Sequence, residues 1–556
     1  MRAFVASLIF ACSFILGAVP LTLAYSGQLQ AHSSQELLKK KAGQLIWVGY
    51  HNLEQIKEIQ PSGIVFFGWN IKTAQDLQNA VRGIRKQEKV LGLERALTAL
   101  DHEGGRVMRL KSGLSAVPDA AALGATRDSE LVSEVSFMMA RELKNIGVDI
   151  NFAPVMDRGD ARSFLENRVW GDNSQDVTQM TSAFLEGHIR GGTFPFPKHF
   201  PGHGPLAFQD VHFIKGINYQ SKEKMMSEDL PPFLHAMHDP RIPGLMTANV
   251  ELEAFGRQTA SLSKRVLSDF LRKELGYEGF ILSDDLEMGG VSSQSIDVAD
   301  TALKSLTSGV DSVLLVWDQE AQKRVRDRIV QAMQSGELSE ADVDRKIARI
   351  QNIKEKVLKI KYESQKFPSI SFAQKRELIN RAWLNSQSWV LGTESELVKN
   401  LNPNSKSPWL VLLPQGAYAR EWKRFRAQDK ILRFDVTRGE NTQLLKFMEK
   451  ASKNSQPLVV VTPPLHKDGG EWVRALSRFF NKSYKDPSCK APVLWVHMGV
   501  LPVRSPRIEK PQKPFSLVHL NSASSISLRH FLGVLSSRAN SWNSVSQRYS
   551  LSSQSP

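Results

Sequence analysis

Eight short runs of nearly continuous apolar residues, separated by longer polar and amphipathic stretches, constrain this chain more than any other feature. They are Leu45 to Tyr50, Gly63 to Gly68, Ala96 to Leu100, Val148 to Val155, Phe194 to Phe200, Gly244 to Val250, Gly279 to Leu286 and Ser312 to Trp317. Runs of this length without polar alternation read as parallel strands buried on both faces. Ala74 to Val90, Ser129 to Ile146, Asp176 to Ile189 and Ser263 to Leu275 carry apolar residues at the three- and four-residue spacing of a helix face, with Ser263 as an N-cap. This α/β alternation predicts a (β/α)8 TIM barrel over residues 35–365. A doubly wound open sheet shares the pattern. The barrel is preferred because Asp101, Asp157, Lys198, His199, Asn249 and Asp284 all follow strand ends, and barrels build their sites on that rim.

The chain continues with a charged helix over 337–362 and a polar stretch, 366–390, that reads as a linker. A second alternation then begins. Trp409 to Leu413, Leu458 to Val461 and Val493 to Val496 read as strands, and Asn441 to Ala451 and Gly470 to Phe480 as helices. A smaller α/β domain is therefore expected over 391–535, followed by a mobile Ser-rich tail, 536–556. Charge is divided unevenly between the two parts. The chain holds 72 Lys+Arg and 57 Asp+Glu, a net +15. Residues 391–556 hold 25 Lys+Arg and 11 Asp+Glu, so +14 of that surplus lies there and +1 before it. A cationic C-terminal domain suits an anionic cell-envelope polymer as partner.

Residues 1–24 have the pattern of a signal peptide: Arg2, an uncharged apolar run from Ala3 to Leu23, and Ala24 at the cleavage position. The expected location is exported, periplasmic or extracellular, with a membrane anchor as the alternative if the segment is not cleaved. The 2 cysteines are Cys12 and Cys489, so removal of the leader leaves no pair for an intrachain disulfide. No Gly-rich phosphate loop or dinucleotide fingerprint follows a strand, so no nucleotide cofactor is expected; nucleic acid is not an expected partner.

The densest chemistry lies in Lys198-His199-Phe200-Pro201-Gly202-His203-Gly204 and the Asp210-Val211-His212 that follows. An Asp-x-His pair suits proton transfer, because the carboxylate can fix the tautomer of the imidazole and raise its pKa. Two other readings fit the same residues: a metal held by His199, His203 and His212, or a structural Gly-rich loop.

The Lys-His-Phe-Pro-Gly-His-Gly run with its Asp-x-His resembles the signature of glycoside hydrolase family 3, in its β-N-acetylglucosaminidase branch. The likeness covers roughly residues 40 to 360. It differs in having Val211 where Ser or Thr is usual, and in a loop about one residue longer. The resemblance implies that His212 is the general acid/base and Asp210 its partner. Ser283-Asp284-Asp285-Leu286-Glu287-Met288 is similar to the family's nucleophile segment, which makes Asp284 the nucleophile, while Asp285 suits a helix N-cap. Asp101-His102-Glu103-Gly104-Gly105-Arg106-Val107-Met108-Arg109 resembles a sugar-gripping run and implies Asp101 and Arg109 as substrate ligands. Arg168, with Arg162 as the alternative, matches a second sugar-binding arginine, and Lys198 and His199 match hydroxyl ligands. Asn249 stands where the family usually has His, a change expected to alter aglycone contacts.

The resemblance thus implies a retaining exo-β-N-acetylglucosaminidase acting on peptidoglycan-type glycans with terminal N-acetylglucosamine, without metal or cofactor. The alternatives are another family 3 β-glycosidase, a glycoside phosphorylase, or an inactive barrel that binds the envelope.

Overall fold

The computed structural model describes residues 34–385, except 111, 160–162, 164, 207–209, 212, 243, 290 and 292–296, together with the backbone of six strands between residues 387 and 520. One sheet contains β1 (Ile46–Gly49), β2 (Gly63–Phe66), β3 (Leu97–Leu100), β4 (Ile150–Asn151), β5 (Phe194–Pro195), β6 (Gly244–Met246), β7 (Phe280–Asp285) and β8 (Ser312–Leu315). Its order is β5-β4-β3-β2-β1-β8-β7-β6, and every pairing is parallel. The segments running on from β5 and β6 meet as well. Met246 N donates to Pro197 O at 2.9 Å, Phe200 N to Met246 O at 2.8 Å, and Ala248 N to Phe200 O at 2.7 Å. This succession fits a TIM-like barrel.

The strands are shorter than the apolar runs that announce them. β4 and β5 have two residues each because Pro154, Pro195 and Pro197 lack the N–H a ladder needs. The centre of the sheet is filled by aromatic rings. Trp47 lies 5.8 Å from Phe152 and 6.2 Å from Phe280, and Phe196 lies 5.7 Å from Phe152 and 6.2 Å from Phe280. Glycines make room for them. A Cβ on Gly63 would stand 2.1 Å from the Trp47 ring, and one on Gly244 would stand 2.4 Å from Phe196.

The helices start where polar side chains satisfy their first N–H groups. Thr73 and Asp76 form a reciprocal capping box on α1 (Ala74–Leu91), Asp128 caps α2 (Ser129–Asn145), and Asn173 caps α3 (Ser174–Gly191). The charged helix α4 (Glu340–Glu363) packs back on the sheet. Its Lys361 joins Arg85 and Arg95 around Asp149, which is wholly buried at the entry to β4. Burial would raise the Asp149 pKa, but the three cations hold it well below the usual carboxylate range.

Residues 366–390 are not a linker. They contain α5 (Phe372–Asn385), whose Ile379 and Ala382 are buried among Val132, Val135 and Phe184. Lys375 also pairs with Glu142 of α2 at 2.7 Å. The stretch reads as a linker because only a narrow side of this helix is apolar.

Gln387–Leu391, Leu410–Pro414, Lys430–Phe434, Leu458–Thr462, Val493–Met498 and Phe515–Leu520 form a second sheet. Its pairings are parallel except that between Gln387–Leu391 and Phe515–Leu520. The three strands expected from sequence are among these six. The leader at 1–24, the helices expected over 441–451 and 470–480, the Ser-rich tail and the basic side chains after 391 lie outside the described residues. Among the described residues no helix is long and apolar enough to cross a membrane.

Candidate active site

The candidate residues follow the carboxyl ends of β3, β4, β5 and β7 in the parallel sheet. At the end of β3 the chain turns through a small hairpin, His102–Gly104 against Val107–Met108, so that Asp101 and Arg109 come side by side. Arg109 Nε and Nη2 donate to Asp101 Oδ2 at 3.2 and 3.0 Å. Lys198, from the segment after β5, donates to Asp101 Oδ1 at 2.7 Å and reaches Glu103 Oε1 at the same distance. Arg168 grips Glu103 with a fork of 2.8 and 2.9 Å. Three cations and two carboxylates thus share one cage, buried except at Arg109, whose side chain is 37% exposed. Burial would raise the Asp101 pKa, but the Lys198 and Arg109 charges hold it well below its ordinary value. Burial likewise opposes ionisation of Glu103, and Arg168 and Lys198 outweigh it, leaving a pKa of about 2. Glu103 is the member of this cage that sequence reasoning missed; its partner Arg168 lies 65 residues away along the chain.

A second cluster forms around Asp157, at the end of β4. Its carboxylate accepts the backbone N–H of His199 at 3.2 Å and of His203 at 2.8 Å. It also stands 2.8 Å from His199 Nδ1 and 2.9 Å from His203 Nδ1. A carboxylate facing both Nδ1 atoms favours hydrogen on Nδ1 in each ring. Burial lowers the His199 pKa against the pull of Asp157, which favours a neutral ring. Asp157, His199 and His203 also offer donor atoms within 4.8 Å of one another, a spacing that suits a metal ion. The carboxylate near these histidines therefore comes from the segment after β4, 42 and 46 residues before them, and not from the loop itself.

Asp284 and Asp285 end β7 and face different surroundings. Asp284 Oδ1 accepts the Asp285 N–H at 2.8 Å, and its charge acts on His199. Asp285 is 7% exposed and held on both oxygens, by Glu287 N at 3.1 Å and Trp317 Nε1 at 2.9 Å. Burial, with Glu287 and Asp284 beside it, pushes the Asp285 carboxyl well up. Asp284 is thus the more accessible of the pair, and Asp285 is built into the frame. Asn249 belongs to that frame too. It is 1% exposed, donates to Asp285 O at 2.9 Å and accepts from Ser261 Oγ at 2.7 Å, so it braces the strand end from behind.

His212 and Arg162 lie outside the described residues. Asp210 is half-buried, and its backbone carbonyl accepts from the N–H groups of Phe213 and Ile214 at 3.1 Å each. Val211 is 1% exposed, and a Cβ on Gly216 would stand 2.8 Å from its Cγ1. The middle position of Asp210-Val211-His212 therefore points into the core as an apolar anchor, which explains why valine fits there. Taken together, this end of the sheet offers carboxylates flanked by cations, the His199 imidazole held toward its neutral form, and a separate, more accessible carboxylate.

Residues 37–353 match the family model "Glycosyl hydrolase family 3 N terminal domain". A beta-hexosaminidase of Idiomarina loihiensis is 31% identical over 270 residues, which is 48% of this chain and 79% of that protein. A solved glycoside hydrolase family 3 beta-N-acetylglucosaminidase from Paenibacillus sp. str. FPU-7 superposes with a TM-score of 0.73 at 23% identity, covering 90% of this chain and 96% of that one. A beta-glucoside phosphorylase, BglX, superposes with a TM-score of 0.69 at 16% identity, covering 90% and 92%. At these identities the two structural matches speak for the fold alone.

Proposed function

The chain belongs to glycosyl hydrolase family 3 and is a glycoside hydrolase, and from that premise we propose an exported, retaining exo-β-N-acetylglucosaminidase that removes terminal N-acetylglucosamine from peptidoglycan-type glycans. The observation that carries this reading is the cage of Asp101, Lys198 and Arg109 beside the accessible Asp284. The cage would hold the hydroxyls of the terminal sugar. Asp284 attacks the anomeric carbon while protonated His212 gives its proton to the leaving oxygen. His212 then takes a proton from the water that releases the sugar, so the first product keeps its configuration. Asp210 orients the imidazole and raises its pKa. His199 contributes a hydroxyl contact through Nε2, and a (β/α)8 barrel closed through the β5 and β6 segments supports the whole rim. Export rests on the leader pattern of residues 1–24.

The test is a panel of chromogenic glycosides. An aryl N-acetylglucosaminide should be cleaved far faster than the matching glucoside, free N-acetylglucosamine should appear, and added phosphate should change neither rate nor product. Faster glucoside cleavage, or accumulation of a sugar 1-phosphate, would overturn the assignment in favour of the other family 3 activities.

The Asp157 cluster yields a second expectation. Asp157→Asn replaces a carboxylate that serves two imidazoles with an amide that sets an N–H against one of them. An unsatisfied buried donor costs about 1–3 kcal/mol, so kcat/KM should fall roughly 10- to 100-fold. The check is kcat/KM on the aryl substrate, with a melting curve to confirm folding. A folded variant with unaltered kcat/KM would remove Asp157 from the account.

A further inference from the structure

The carboxylate of Asp101 is held by Lys198 and Arg109, and the main chain that carries it is held by a residue that the reaction itself does not use. Asn151, the last residue of β4, is wholly buried. Here the ladder between β3 and β4 runs out. Phe152 N donates to Leu100 O at 3.0 Å, and beyond that bond the Asn151 side chain takes the place of a strand. Its Oδ1 accepts from His102 N at 2.9 Å, and its Nδ2 donates to His102 O at 2.9 Å. Asp101 thus lies between a residue held by the ladder and a residue whose N–H and C=O are both clamped by one amide.

That amide is held in one orientation by a chain of buried hydrogen bonds. Asn151 Nδ2 stands 2.9 Å from His188 Nε2, and His188 Nδ1 stands 2.6 Å from Ser136 Oγ, which donates to Phe184 O at 2.5 Å. A carbonyl can only accept, so Ser136 gives its hydrogen to Phe184 and takes one from His188 Nδ1. A neutral His188 then has a bare Nε2, which accepts from Asn151 Nδ2 and leaves Oδ1 for the His102 N–H. Burial and the nearby His102 ring push the His188 pKa down to about 3, which keeps the ring neutral. The ring is stacked on Phe184 at 4.3 Å. Gly187 lets α2 and α3 approach closely enough for the Ser136 contact, since a Cβ there would stand 2.3 Å from Ser133 O.

We propose that Asn151, oriented by His188 and Ser136, is a positioning residue for Asp101, setting the main chain from which that carboxylate reaches the hydroxyls of the terminal sugar. This rests on the glycosidase reading above. A hydrogen bond to a sugar hydroxyl weakens steeply once its angle is lost, so a His102 peptide freed from its clamp would cost alignment of Asp101 and leave the chemistry at Asp284 in place.

The experiment compares kcat/KM for an aryl N-acetylglucosaminide with that for three analogues, each lacking one hydroxyl, at carbon 3, 4 or 6. The wild type should discriminate against an analogue that lacks a hydroxyl bound by Asp101. In Asn151→Ala that discrimination should shrink about tenfold, the scale of a hydrogen bond to a charged group, whereas a loss of folding alone would lower all the substrates alike. His188 supplies milder variants. His188→Leu removes the acceptor and should shrink the discrimination severalfold, and His188→Gln, whose amide oxygen stands near the place of Nε2, should keep it. Melting curves confirm which variants fold. Unchanged discrimination in Asn151→Ala, or in His188→Leu where the alanine variant does not fold, overturns the proposal, as does a wild type that cleaves all the substrates equally well. If the wild type cleaves none of them, the glycosidase reading fails by itself, and calorimetric titration with N-acetylglucosamine and its deoxy analogues then decides the clamp. Weaker discrimination in the variant supports it, and equal discrimination, or no binding to the wild type, overturns it.

Discussion

Asp284→Ala is expected to lower kcat on an aryl N-acetylglucosaminide by about 10⁴-fold or more, which is about 5 kcal/mol of lost transition-state stabilisation. The size follows from what is removed. Without a carboxylate at the end of β7 there is no covalent intermediate, and no negative charge faces the developing oxocarbenium ion. Asp285 cannot substitute, because both its oxygens accept bonds within the frame and its burial disfavours the anion. The fold should survive, since Asp284 is only partly buried and its one hydrogen bond among the described residues is to the next N–H. Asp285→Ala should behave in the opposite way, with a lowered melting temperature and a smaller loss of kcat. If Asp284→Ala kept even a tenth of the wild-type kcat, the nucleophile would have to be sought elsewhere.

Lys198→Ala is expected to produce the largest combined loss of stability and activity. The ammonium is 3% exposed and stands 2.7 Å from both Asp101 and Glu103. Its removal leaves each carboxylate with one arginine and an empty space in place of its second partner. Breaking a buried ion pair costs about 3–5 kcal/mol, and because the arginines remain, the lower end is expected in urea unfolding at pH 7. The same bonds fix how stability depends on pH. The folded-state pKa of Glu103 lies at about 2, below its ordinary 4.5. A depressed carboxylate contributes stability above its unfolded pKa and loses it as pH falls through the folded one. The wild type should therefore lose stability between about pH 4.5 and 2 more steeply than the variant, whose Glu103 has less to lose. Parallel unfolding curves over that window, or a variant as stable as the wild type at pH 7, would show that the cage does not hold these residues.

The eight strands were legible because parallel strands buried on both faces leave continuous apolar runs, as in Ile64-Val65-Phe66 and Val313-Leu314-Leu315. Lys430–Phe434 was not, since its five residues include two cations and a half-polar run that short gives no period to read. The site divides in the same way. Asp101, Lys198, His199 and Asp284 stand in local motifs at strand ends, and the structure brings Lys198 within 2.7 Å of Asp101. The roles of Glu103 and Asp157 depend on partners 65 and 42 residues away, and only the closing of the strands brings them together. The bracing role of Asn249 was not legible because Ser261 and the Asp285 carbonyl, which occupy its amide, lie outside its own segment.

The central claim is a covalent intermediate on Asp284 reached with retention of configuration. It is tested most directly by incubating the protein with a fluorinated N-acetylglucosaminyl fluoride, which forms the glycosyl-enzyme quickly and releases it slowly, and then mapping the adduct by peptide mass spectrometry. The account predicts one added sugar, attached to Asp284 and absent from Asp284→Ala. Attachment to Asp285 or to another residue, or an active protein that never carries the sugar, would contradict it.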